Sequence, residues 1–124
     1  MPATDSAERR RRDRKGRRAE TIATWFLIAK GYRILARRVR TRAGEIDIVA
    51  RQRDSLVFVE VKARATLDSA IFALHPSALR RIEAASRVLA PRFGSGCTTT
   101  RIDAVLVRPW ALPVHLVAIG RERN

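Results

Sequence analysis

Apolar residues recur along this chain with two periods, about 3.6 residues in some segments and two in others, which predicts helices and strands in succession. Gly31 follows the first helical segment, at a position that helix C-termini favour. Leu79, Ile82 and Leu89 fall at helical spacing after Pro76, a residue that suits the first turn of a helix. In chain order, the predicted elements are a helix over 17–30, strands over 32–40, 45–50 and 56–62, a helix from Pro76, and strands over 99–107 and 114–119.

This order predicts an α/β fold in which a mixed sheet is flanked by helices. The segment 56–61 is apolar on both faces until Glu60, which indicates a strand covered on both sides. The stretch 63–74 is ambiguous and fits a loop with or without local structure. Residues 1–15 form a charged run with almost no large apolar side chains. We therefore expect a disordered basic arm, followed by one domain over 16–124.

Charge indicates the class of partner. The chain has 26 Lys and Arg against 12 Asp and Glu, a net charge of +14. Residues 1–18 contribute +5 of this, so the remaining residues carry +9 and are basic on their own account. Such a charge favours a polyanionic partner, and DNA is the partner we expect. Attachment to an anionic membrane surface is the weaker alternative, because it fits only the first quarter of the chain.

Several functions are disfavoured by composition. Cys97 is the single cysteine, which excludes an intramolecular disulfide and a cysteine-rich zinc site. His75 and His115 are too few and too far apart for a histidine-built metal site. No segment approaches the roughly 20 apolar residues of a membrane span, and the short stretch 22–29 lacks the features of an export signal. We expect a cytoplasmic protein with no membrane partner; a homodimer is allowed, although the sequence does not determine the oligomeric state.

The candidate chemistry lies in the predicted hairpin. Glu60 and Lys62 project to the same side of their strand because side chains alternate along it. If Gln52 faces Ser55, the antiparallel register places Asp47 directly across from Glu60, with Cβ atoms roughly 4.5–5.5 Å apart. Two carboxylates this close repel each other unless a cation lies between them, and oxygen ligands suit Mg²⁺ or Mn²⁺.

An amphipathic hairpin with an exposed ion pair is the structural alternative for these residues. Two observations weigh against it. A carboxylate that ends a strand covered on both faces needs a partner. Lys62 is one of only three lysines among 26 basic residues, so a chain that otherwise uses arginine keeps a titratable amine beside Glu60.

These motifs and this order of elements resemble the PD-(D/E)xK nuclease superfamily, which has a restriction-endonuclease-like αβββαβ core and acidic residues on its second and third strands. More narrowly, the chain after Gly16 is similar to the YraN family of small bacterial proteins, which are related to archaeal Holliday junction resolvases. The matching segments are 16–23, 31–36, Gly44-Glu45-Ile46-Asp47-Ile48-Val49, Val57-Phe58-Val59-Glu60-Val61-Lys62 and Arg101-Ile102-Asp103.

The resemblance implies a metal-dependent phosphodiesterase that acts on DNA, with branched or repair and recombination DNA as one class of substrate. Asp47 and Glu60 would hold Mg²⁺ or Mn²⁺, helped by the backbone carbonyl of Val61. Lys62 would orient or help to activate the attacking water. Glu20 matches the acidic residue that supports this site from the first helix; its alternative role is an exposed helix glutamate paired with Arg17.

Two departures from the family pattern leave an alternative open. Members commonly carry an asparagine and an arginine in the strand after the first helix, where this chain has Arg38-Val39-Arg40. They also commonly carry a lysine near the start of the second helix, where Arg80 or Arg81 would take its place. A nuclease fold retained only for nucleic-acid binding is therefore the alternative function. The residues expected to contact DNA are Arg17, Arg18, Arg38, Arg40, Arg80 and Arg81.

Overall fold

A five-stranded mixed sheet forms the centre of the protein, in a computed structural model that describes the backbone of residues 2–120 and the side chains of residues 6–11 and 14–120. Strands β1, β2 and β3 form an antiparallel meander, β4 runs parallel to β3 after a helical crossover, and β5 is antiparallel to β4. This confirms the α/β class and is consistent with the expected αβββαβ core. The elements are α1 (Pro2–Ala29), β1 (Arg33–Arg40), β2 (Glu45–Gln52), β3 (Ser55–Ala63), α2 (Leu67–Phe72), α3 (Pro76–Phe93), β4 (Thr99–Val107) and β5 (Val114–Leu116).

Helices cover the sheet on both faces, as the apolar pattern of β3 predicts. Ala23 and Leu27 of α1 pack on one face, against a cluster that includes Val57. Ile82 and Leu89 of α3 pack on the opposite face, against a cluster that includes Phe58 of the same strand. Every residue of β3 from 56 to 59 is at most 1% exposed. The central strand is therefore buried on both sides, and only its polar end can contribute side chains to a functional site.

Helix α1 is longer than predicted. The sequence predicted disorder over residues 1–15, whereas the structure has helix from Pro2. Arginine and alanine are strong helix formers, and this segment extends a helix that the packed residues after it already nucleate. At the other end, Gly31 has a φ of 90° and the N–H of Tyr32 donates to the carbonyl of Leu27 at 3.0 Å, which ends the helix as predicted. The boundary between an arm and a domain at residue 15 stays a prediction.

Two other segments differ from the sequence-based expectation. The ambiguous stretch contains α2, whose N-terminus is capped by Thr66 accepting the N–H of Ser69 at 3.1 Å. Strand β5 ends at Leu116 rather than at residue 119. Ala118 adopts a φ of 58°, and its N–H donates to the side chain of Asp103, so the chain turns out of the ladder. No helix within residues 2–120 is long and apolar enough to cross a membrane.

Candidate active site

The β2–β3 hairpin has the register on which the candidate site depends. Gln52 pairs with Ser55, and the ladder continues to the pair of Ile48 and Val59. Arg53 makes the tight turn possible by adopting a φ of 53°. The regular ladder ends one residue before the predicted acidic pair. The two carboxylates therefore lie where the strands separate, and a separation of strands leaves room for a ligand.

Asp47 interrupts the regular alternation of β2. Ile46 packs in the cluster under α3, whereas Ile48 packs in the cluster under α1, although residues two apart in a regular strand share a face. The Asp47 side chain accepts the backbone N–H of Val61 through Oδ2 at 2.8 Å. Asp47 borders a cavity on the α1 side, and Glu60 borders a smaller one of about 220 Å³ on the α3 side. The acidic pair thus bridges the two faces at one end of the sheet.

The carboxyl groups of Asp47 and Glu60 interact directly. Burial, together with a hydrogen bond and charge repulsion from Asp47, raises the pKa of Glu60 to about 9. The ammonium of Lys62, 3.8 Å from Glu60 Oε2, acts in the opposite direction but does not outweigh burial. At neutral pH Glu60 is therefore protonated and hydrogen-bonded to Asp47. The pair holds a proton at the position where a metal cation could stabilise both carboxylates in ionised form.

The cavity beside Asp47 has a volume of about 410 Å³ and is lined by both signs of charge. Arg38 pairs with Glu20 at 2.9 Å, and Arg40 pairs with Glu45 at 3.3 Å. No arginine or lysine whose side chain the structure describes, within 6–11 and 14–120, pairs with Asp47. Asp47 is thus the acid of this cavity that would gain most from a bound cation. The lining residues are Gly16, Arg17, Glu20, Arg38, Arg40, Glu45, Asp47 and Val61.

The structure places the other predicted site residues in three groups. Glu20 is only 5% exposed and pairs with residues of β1, so the alternative of an exposed glutamate paired with Arg17 is wrong. Of the arginines expected to contact DNA, three line the larger cavity and Arg81 lines the smaller one. Arg18 and Arg80 are exposed outside both cavities.

A buried polar network was missed by sequence reasoning. Asp103 is 0% exposed and accepts hydrogen bonds from Arg101 at 3.0 Å, from His115 at 2.8 Å and from a backbone N–H of the last loop. Burial by itself raises the pKa of Asp103, but these hydrogen bonds outweigh it and hold the pKa below its usual value. Arg101 also donates to the hydroxyl of Tyr32 at 2.6 Å. The sequence signal for this network was a pair of charged residues, Arg101 and Asp103, at alternate positions of an otherwise apolar strand.

This network performs a structural role. Nδ1 of His115 lies 2.6 Å from the ammonium of Lys30, at the C-terminal end of α1, and its Nε2 contacts Asp103. Both ring nitrogens are therefore engaged, and neither is left to act as a base toward a ligand. His115 therefore connects the end of α1 to β4 and β5.

Comparison with known proteins identifies the family. Residues 19–107 match the model of the uncharacterised protein family UPF0102. A UPF0102 protein of Mesorhizobium japonicum is 49% identical over 125 residues, which cover 100% of both chains. Another from Rhizorhabdus wittichii is 47% identical over 107 residues, covering 86% of this chain and 91% of the relative. A third, from a Bradyrhizobium species, is 53% identical over 106 residues, covering 85% of this chain and 78% of the relative. The chain belongs to the UPF0102 family, which confirms the YraN-like resemblance at the level of the family.

Proposed function

We propose that this protein is a Mg²⁺- or Mn²⁺-dependent nuclease that hydrolyses DNA phosphodiesters. One observation carries the proposal: Asp47 and Glu60, from neighbouring strands, meet where their ladder ends, with the ammonium of Lys62 3.8 Å from Glu60. An aspartate on the second strand and Glu-x-Lys on the third is the pattern of the PD-(D/E)xK superfamily, in which we place the chain. A binding module alone would gain nothing from an acidic pair facing phosphates.

The residues present fit a magnesium or manganese ion. Mg²⁺ is commonly held by one or two carboxylates, with waters and substrate phosphates completing its shell. Among the side chains that the structure describes, those of residues 6–11 and 14–120, no three or more of His, Cys, Asp or Glu form a group that could hold a metal ion. Asp47, Glu60 and the backbone carbonyl of Val61 are therefore the donors that this site offers. They suit an ion that takes the rest of its ligands from water and substrate.

The chain's own groups would divide the catalytic work. When bound, the cation would polarise a phosphoryl oxygen and lower the pKa of a bound water. Nζ of Lys62 would orient the attacking water and stabilise negative charge that develops beside Glu60. Glu60 would hold the ion as a carboxylate and so would give up its proton, with Asp47 as the second carboxylate donor. The arginines that line the larger cavity would bind the phosphate backbone.

The charge of the molecule supports DNA as the substrate. The net charge of +14 is spread over the arm and the domain, so counterion release would favour binding to a polyanion. Arginines 9–11 and 14 of α1 are exposed along the same helix that carries Arg17 into the cavity. Duplex DNA seated at the site would therefore meet a basic helix on one side. Branched repair or recombination DNA is the substrate class that we expect, and a homodimer remains a prediction.

Cleavage of a DNA panel tests this function. Full-length protein is incubated with linear, nicked, flapped and four-way-junction DNA in Mg²⁺, in Mn²⁺ and in EDTA. We expect metal-dependent cleavage that Asp47→Ala, Glu60→Ala and Lys62→Ala each abolish while DNA binding is retained. Asp54→Ala is the matched control, because Asp54 is exposed in the turn at the far end of the same hairpin.

The panel also separates the proposal from its alternative. Tight DNA binding without cleavage of any substrate in either metal would favour a non-catalytic nucleic-acid-binding module. Cleavage at the wild-type rate by a triple variant that combines Asp47→Ala, Glu60→Ala and Lys62→Ala would place the activity elsewhere or in a contaminant.

A further inference from the structure

Glu20 is a buried charge whose partners are arginines. It lies on the inner face of α1, 5% exposed, at the wall of the larger cavity. Nε of Arg38 donates to both of its carboxylate oxygens, at 2.9 and 3.0 Å. Nη2 of Arg37 lies 3.2 Å from Oε1. Two guanidinium groups thus balance one buried carboxylate, so Glu20 needs no metal ion to compensate its charge.

The backbone of β1 is distorted where it brings these arginines to Glu20. Arg37 and Arg38 are consecutive, and consecutive side chains of a regular strand point to opposite faces. Both nevertheless contact the same carboxylate. Arg38 has a φ of 53°, in the left-handed region that few residues other than glycine adopt. A strained conformation of this kind persists only where the surroundings hold it, and the contact that the Arg38 side chain makes here is with Glu20.

The two arginines differ in what they present to the cavity. Arg38 lines the cavity together with Asp47, whereas Arg37 does not. The side chain of Arg38 is 35% exposed, and its Nη1 and Nη2 groups have no partner among the side chains that the structure describes, which leave out residues 2–5, 12 and 13. A guanidinium that is fixed through Nε and free at both Nη groups matches the oxygens of a phosphate.

We propose that Glu20 is a positioning residue that holds Arg38 in the cavity, where Arg38 binds a phosphate of the nucleic acid. The inference rests on the proposed function for the identity of the ligand, and it gives Glu20 a role other than that of a metal ligand. The distorted strand is the consequence of aiming this one arginine at the site of Asp47.

Binding and cleavage by matched variants test the pair. The Kd of a short DNA duplex is measured by fluorescence anisotropy in EDTA, and KM and kcat are measured in Mn²⁺. Arg38→Asn should raise Kd and KM about tenfold, the effect of losing one charge-assisted hydrogen bond to phosphate. Arg37→Asn removes the same charge from the same carboxylate outside the cavity. It should change Kd about twofold or less.

Glu20→Gln tests positioning. Alone, it should raise Kd, as Arg38→Asn does, because Glu20 no longer holds Arg38 in position. Combined with Arg38→Asn, it should add no further change to Kd or KM. The double variant also removes both charges together, so it leaves no unpaired buried charge and remains informative if Arg38→Asn alone fails to fold. Melting temperatures of all variants verify folding.

Distinct results separate this inference from the proposed function. If Arg38→Asn and Arg37→Asn changed Kd equally, or if the effects of Glu20→Gln and Arg38→Asn on Kd were additive, Glu20 would not position Arg38. Neither result would contradict the proposed nuclease activity. If the wild type cleaved no DNA, but Arg38→Asn weakened duplex binding and Arg37→Asn did not, the positioning of Arg38 by Glu20 would be supported. The proposed nuclease activity would then be wrong.

Discussion

Replacing Glu60 by glutamine keeps the shape of the side chain and removes its ability to ionise. Burial and the neighbouring Asp47 raise the pKa of Glu60 to about 9, against an ordinary value of 4.5. Above pH 4.5 the unfolded chain releases this proton and the folded chain keeps it. The free energy of unfolding of the wild type therefore falls by about 1.4 kcal/mol per pH unit, until the pH passes the folded-state pKa. At pH 7, about 2.5 units above the ordinary value of 4.5, Glu60→Gln should be more stable by about 3 kcal/mol.

Urea denaturation in EDTA, at intervals from about pH 4 to pH 8, measures this difference. The two proteins should have nearly equal stability at pH 4, and the advantage of Glu60→Gln should grow steadily up to pH 7. Glu45→Gln serves as the control, because the Glu45 side chain is 42% exposed on the same hairpin and lies outside the acidic pair. Millimolar Mn²⁺ should stabilise the wild type more than Glu60→Gln. A difference that stays constant between pH 5 and pH 7, or a less stable variant at pH 7, would refute the coupling of the two carboxylates.

Three further predictions concern stability and DNA binding. Asp103→Ala should lower the free energy of unfolding by about 3 kcal/mol near pH 7, because it removes the carboxylate that the partly buried Arg101 and the buried side chain of His115 share. Since the pKa of Asp103 is lowered, its contribution is lost as pH falls below the ordinary 3.8; a urea titration showing a loss under about 1 kcal/mol at pH 7 would contradict this. Deletion of residues 1–15 should flatten the dependence of log affinity on log salt by about 0.9 for each phosphate that the arm neutralises, with little change in melting temperature, whereas equal slopes would show that the arm does not bind DNA. Gly94→Ala should lower the free energy of unfolding by about 1 to 3 kcal/mol, because its Cβ would lie 2.6 Å from the carbonyl oxygen of Ala90; an unchanged melting temperature would show that the end of α3 relaxes freely.

Local signals were sufficient for most of the fold. The helical period and Gly31 located the end of α1, and Pro76 located the start of α3. The hairpin needed only a two-residue turn between Gln52 and Ser55. Charge composition alone predicted disorder for residues 1–15 because they lack core residues, whereas the structure has helix from Pro2, which agrees with the high helix propensity of arginine.

The acidic pair of the candidate site was also accessible from the sequence. Asp47 and Glu60 are close along the chain, and the register of one hairpin decides whether they meet. The pairing of Glu20 with Arg38 could not be predicted from the sequence. It depends on the positive φ of Arg38, and arginine is not a residue whose presence signals that conformation.

Longer-range packing decided the remaining contacts. Asp103 meets Arg101 through the alternation of one strand, but it meets His115 only because β5 pairs with β4, and Lys30 joins them only because α1 packs across the sheet. Period, turn chemistry and charge are local properties, so the sequence by itself determined the order of elements, the covered central strand and the acidic hairpin. The partners of buried charges depend on which elements pack together, so the tertiary structure alone decided that Glu20 holds Arg38 and that Asp103 connects α1 to the far edge of the sheet.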